Sequence, residues 1–94
     1  MTGNKREPQL ADLRAFCMVI DLGSLGMAAK VLRVSQPTLS KRLRSLETWA
    51  GVRLLVRSHR GTSPTPAGTR LYPAAQRVLA DDEALVEMID RLHR

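Results

Sequence analysis

Ninety-four residues suffice for one small domain and leave no room for a second one that folds independently. A hydrophobic content of 44% with one Phe, one Tyr and one Trp describes an aliphatic, helical composition rather than a sandwich. The formal charge of +6 favours a polyanionic partner, while a single cysteine, Cys17, excludes a disulfide framework and a cysteine-based zinc site and suits a reducing cytoplasm.

In chain order, residues 1–8 are polar up to Pro8 and read as a loose arm. A first helix is predicted over about residues 9–22, with Leu10, Leu13, Phe16, Cys17 and Ile20 as its apolar stripe and Gly23 as a left-handed cap. Ser24 is placed to cap a short second helix through Arg33, with Leu25, Ala28, Ala29 and Leu32 inward. Val34 breaks the pattern, and Ser35 caps a third helix whose first turn tolerates Pro37. Two helices joined by so short a turn make a helix-turn-helix. After Gly51, a β-like run over 53–57, a turn over 58–61 and a return over 62–64 predict a small hairpin, a wing. Thr65 and Pro66 then start a last helix that can run to about residue 92, in which Pro73 removes one backbone bond. The longest apolar run, residues 15–20, is far short of a membrane span, and the start lacks a signal-peptide core, so the chain reads as soluble, without a membrane partner. The expected organisation is an arm (1–8), a mainly α winged helix-turn-helix with a two-stranded wing (9–65), and a linker and dimerisation helix (66–94).

Charge concentrates in the middle third. Residues 1–29 balance three cations against three acids; residues 30–60 hold eight cations against Glu47 alone, a net +7; residues 61–94 hold four against five. On the third helix, Leu39, Leu43 and Leu46 fall in one narrow sector and must be buried, whereas Pro37, Ser40, Lys41, Arg44 and Thr48 cluster opposite. Two cations and small hydroxyls on one face suit a helix entering the major groove end first. Gln36 can offer its amide to adenine, Lys41 or Arg44 can reach guanine or phosphate, and Ser40 can serve either. Arg57, His59 and Arg60 of the wing are placed for a flanking minor groove, Arg60 nearest the tip.

The chain resembles the N-terminal domain of LysR-type transcriptional regulators over about residues 10–92. The resemblance is carried by Leu13-Arg14-Ala15-Phe16, Gly23-Ser24, Ala28-Ala29, Leu32, Ser35-Gln36-Pro37-Thr38-Leu39-Ser40-Lys41, Leu46-Glu47, Gly51-Val52, Leu54, Arg57, Arg60 and Thr65-Pro66-Ala67-Gly68. It implies base contacts from Gln36, Pro37, Ser40 and Lys41, entry of Arg60 into the minor groove, and a homodimer through the last helix. Members are usually about three times longer and carry a C-terminal effector-sensing domain, so a small-molecule effector is expected only if such a domain accompanies this one. Gly26 and Met27 depart from the family pattern of a hydroxyl and a basic residue at the start of the second helix. Leu55 replaces the usual Phe, and Trp49, beside Ala50, is expected in a packing role. The DNA-binding candidates are thus Ser35, Gln36, Pro37, Thr38, Ser40, Lys41, Arg44, Arg57, His59 and Arg60.

In the last helix, Leu71, Ala75, Val78, Asp82, Leu85, Ile89 and Leu92 advance by alternating fours and threes, the spacing of a coiled-coil seam. Leu71, Ala75, Val78, Leu85, Ile89 and Leu92 are the dimerisation candidates, with Asp82 interrupting the seam. A two-fold dimer predicts an imperfect inverted repeat in the DNA, with half-sites about 34 Å apart. His59 and His93 lack partners for catalysis, no phosphate loop or metal spacing is present, and Asp81, Asp82 and Glu83 read as a solvated face; no enzyme, cofactor or metal is expected. The competing reading is a protein-interaction adaptor that heterodimerises with a full-length regulator.

Overall fold

The helix that opens the fold is walled in on nearly every side, and the other elements are arranged around it. The computed structural model describes residues 7–94, so the predicted arm lies outside them except for Glu7 and Pro8. The order is α1 (Leu10–Leu22), α2 (Leu25–Leu32), α3 (Gln36–Ala50), β1 (Leu55–Ser58), β2 (Gly61–Pro64) and α4 (Pro66–Leu92). Helix α1 touches α2, α3, α4 and β2. Its deepest residues are therefore Ala15, Phe16 and Val19, all fully buried, while Leu10, Leu13 and Ile20 of the predicted stripe are only half-buried. A one-sided stripe is the signature of a helix with one covered face, and α1 has several.

The helix starts are capped by the hydroxyls that precede them. Ser24 Oγ accepts from the Met27 N–H at 3.2 Å, Ser35 Oγ from Thr38 at 3.2 Å, and Thr65 Oγ1 from Gly68 at 3.1 Å. At α1 the Asp12 carboxylate, buried, reaches back to accept from the Gln9 N–H at 3.1 Å. Gly23 ends α1 in the left-handed conformation at φ 68°. The turn between α2 and α3 uses Arg33 in the same region, at φ 59°, a conformation that costs a non-glycine residue about 1–2 kcal/mol.

Strands β1 and β2 pair antiparallel from Leu55 opposite Pro64 to Ser58 opposite Gly61, leaving His59 and Arg60 as the loop. The first strand begins two residues later than predicted, because the backbone N–H groups of Leu54 and Leu55 are held by Glu47 of α3 instead. The hairpin is also fastened to α1: the Thr62 N–H donates to the Gly23 carbonyl at 3.0 Å. A side chain on Gly61 would stand 2.5 Å from that same oxygen, so only glycine permits the approach.

Helix α4 runs unbroken through Pro73. At about 1.5 Å per residue its 27 residues reach about 40 Å, most of the longest molecular dimension of 49 Å. Its first half lies on α1 through Leu71, Tyr72, Ala75 and Leu79. Two polar links flank that contact: Arg14 to Asp82 at 2.9 Å, and the Tyr72 hydroxyl donating to Asp21. The hydrogen bond to Asp21 pushes the Tyr72 hydroxyl up to about 12, and burial with the Asp21 charge pushes the Cys17 thiol up to about 11. Both groups stay protonated at neutral pH, and what they add to stability is present below their ordinary values of 10.0 and 9.0 and is lost as pH rises from there to the raised ones. Cys17 is accordingly a buried, unreactive packing residue at neutral pH.

Candidate nucleic-acid interface

Leu39, Leu43 and Leu46 are all buried against the rest of the domain, which fixes the rotation of α3 about its own axis. The opposite face is then free. Gln36, Pro37, Thr38, Lys41 and Arg44 are exposed, and Ser40 is half-buried because it faces the wing. Ser35 is exposed but its hydroxyl is engaged at the helix start, accepting from the Thr38 N–H and donating to Thr38 Oγ1 at 3.0 Å. The wing brings Arg57, His59 and Arg60 to the surface, with His59 and Arg60 at its tip.

A cleft of about 160 Å³ separates α3 from the wing, and Ser40, Arg44, Arg53 and Arg57 line it. Two strongly basic elements thus flank one groove. Seven of the eight cations between residues 30 and 60 are exposed, Arg42 being the half-buried one. Among the described residues, only Arg53 of these is ion-paired, with Glu47 at 3.7 Å. Cations in such numbers, left without acidic partners on one side, create a field suited to a polyanion.

Glu47 has a structural role that the sequence motif containing it does not specify. Its Oε2 accepts from the Leu54 N–H at 2.7 Å and the Leu55 N–H at 3.1 Å, joining the start of the wing to α3. Its signal was present: it is the one acid in a stretch with eight cations. Glu47→Ala is expected to lower stability by about 1–3 kcal/mol, since two backbone donors at a half-buried site lose their acceptor. Urea unfolding should show a lower midpoint with the slope unchanged. Glu47→Gln, which keeps an acceptor oxygen, should retain most of the parent's stability.

The dimerisation candidates divide into two groups. Ala75 is 2% exposed and Leu71 packs on the same core, so both are occupied by their own subunit. The small side chain of Ala75 sits in the core that α4 shares with α1. Asp82 pairs with Arg14 of its own chain. Val78, Leu85, Ile89 and Leu92 remain exposed, joined by Val86 and Met88. Trp49 is 45% exposed and Ala50 is exposed too, so Trp49 fills no core volume beside it. Among the described residues no cluster of three His, Cys, Asp or Glu side chains could hold a metal ion, and no helix is long and apolar enough to cross a membrane.

Three helices, the second and third joined by a tight turn, with a basic hairpin beside the third, define a winged helix-turn-helix. A family model described as "Bacterial regulatory helix-turn-helix protein, lysR family" matches residues 10–69. The chain belongs to that family. The Nitrogen assimilation regulatory protein nac of Klebsiella aerogenes is 42% identical over 74 residues, 79% of this chain and 24% of that protein. A probable hydrogen peroxide-inducible genes activator of Streptomyces viridosporus is 44% identical over 92 residues, 98% of this chain and 30% of that protein. The chain therefore spans about a quarter to a third of these relatives. Among solved structures, the BenM DNA-binding domain in complex with catB site 1 DNA superposes with a TM-score of 0.83 at 34% identity, covering 89% of this chain and 94% of that one. The oxidized form of Corynebacterium glutamicum OxyR gives 0.87 at 40% identity, covering 92% of this chain and 26% of that one.

Proposed function

We propose that this chain binds double-stranded DNA in a sequence-dependent way and regulates transcription as a homodimer joined through α4, on the bacterial nucleoid in the cytoplasm. The amino end of α3 enters the major groove, where Gln36, Pro37, Ser40 and Lys41 meet base edges. Arg44 and Arg57 hold the backbone, and Arg60 at the wing tip reaches the flanking minor groove, with His59 beside it. The observation that carries the reading is the pairing of a buried leucine face on α3 with an opposite face of exposed Gln36, Lys41 and Arg44 across a basic cleft from the wing. The likeness to the BenM domain, which was solved on DNA, supports the docking mode. The exposed apolar row Val78, Leu85, Ile89 and Leu92 supports the dimer, and a two-fold dimer calls for an imperfect inverted repeat in the DNA.

A duplex selected from a random pool, titrated across a salt series, tests this reading. The logarithm of the association constant should fall linearly with the logarithm of salt concentration, with the selected duplex preferred throughout. Lys41→Ala and Ser40→Ala should each weaken binding to that duplex by about 1–3 kcal/mol and relax the preference at one base pair. No salt-dependent binding at all would sink the proposal in favour of an adaptor that works through α4 alone.

A further inference from the structure

We infer that Gly26 is a positioning residue for base reading: the space left by its missing side chain is where the Gln36 amide rests, and that resting place sets which base edge the amide meets. The inference depends on the DNA-binding reading above. Gly26 is the second residue of α2 and Gln36 the first of α3, so the two face each other across the turn of the motif. A methyl group on Gly26 would stand 3.1 Å from Gln36 Nε2 and 3.9 Å from Ser24 Oγ. The first distance is closer than ordinary van der Waals contact, so the amide must shift by a few tenths of an ångström or swing away.

Nothing else in the fold asks for glycine there. Gly23, Gly51 and Gly61 have positive φ, and Gly26 does not; its backbone suits any residue. Within a helix, glycine is less favourable than alanine, so α2 gains nothing from it. What remains as its structural consequence is room for Gln36. That room matters because a bidentate amide contact to adenine tolerates displacements of only about 0.5 Å and rotations of about 10–20° before it degrades.

The test selects duplexes from a random pool with four chains: the parent, Gly26→Ala, Gln36→Ala and the double variant. Gln36→Ala should lose roughly 5- to 150-fold discrimination at one base pair. Gly26→Ala is expected to change the preference at that same base pair by about threefold or more, leaving the others unmoved. In the Gln36→Ala background it should do nothing further. The alanine favours the helix and meets only two flexible side chains, so the thermal midpoint should not fall, and a role in folding alone would move the midpoint rather than the base preference. The inference is overturned if Gly26→Ala selects the parental sequence, acts at a different base pair, or acts equally without Gln36. A parent that binds no duplex overturns the DNA reading and this inference together, whereas a parent that binds with an unmoved Gly26→Ala preference overturns this inference alone.

Discussion

Gly68→Ala is expected to lower stability by about 3 kcal/mol and the melting temperature by roughly 10–20 °C. A Cβ at this position would lie 2.2 Å from the Leu54 carbonyl oxygen and 3.2 Å from Pro64 Cβ. The oxygen cannot turn aside, because it accepts from the Thr65 N–H at 3.0 Å. Relief therefore requires moving the start of α4 away from the loop that leads into the wing. That start is where Thr65 both caps α4 and donates to the Arg53 carbonyl at 2.7 Å, so displacement breaks several bonds at once. The helix preference for alanine, at most about 1 kcal/mol, offsets only part of this. Calorimetry on the two chains decides the matter: a midpoint within two or three degrees of the parent would mean that α4 is not seated by this contact. A drop in midpoint accompanied by weaker DNA binding would show that the wing moves with it.

The parts of this fold legible in sequence are those where a residue acts on its near neighbours. Ser24, Ser35 and Thr65 each precede a helix, and each hydroxyl is bonded to the backbone three residues on. The leucine row of α3 followed from helical spacing alone, and all three leucines are buried. What escaped is what depends on distant partners. Ala15 and Val19 of α1 are buried because α2, α3, α4 and β2 all converge on that helix, and periodicity reports which face is apolar without reporting how many faces are covered. The link from Glu47 to the wing spans seven and eight residues across a chain reversal, where no local rule reaches. The last helix shows the same division most clearly. Its heptad row, interrupted only at Asp82, runs on one spacing throughout, yet its first half covers α1 whereas residues 83–92 are all exposed. An apolar spacing cannot say whether its complement lies in the same chain or in another. For the exposed face of α3 the sequence was more informative, since an outward face follows directly once the inward face is known.

The second half of α4 also supplies the prediction with the largest expected effect on DNA affinity. Residues 83–92 are all exposed, including Leu85 at 58% and Leu92 at 74%. A helical segment of that length is marginal in water without tertiary contacts, and an apolar row on it calls for a partner surface. Under the homodimer proposal that surface is the same row on a second copy. Ile89→Asp puts an unpaired carboxylate into the proposed seam, and the variant should sediment as a monomer at concentrations where the parent is a dimer. On a full inverted repeat it should bind about 10²- to 10⁴-fold more weakly, because the second half-site is no longer delivered at the high effective concentration that linkage supplies. On an isolated half-site the two chains should agree within about threefold, since Ile89 lies on the part of α4 beyond its contact with α1 and outside the interface formed by α3 and the wing. The contrast between the two duplexes separates loss of pairing from damage to the domain: an Ile89→Asp chain weakened equally on both would place the fault in the fold, and a parent that sediments as a monomer on its own and on the repeat would leave the α4 row without its proposed role.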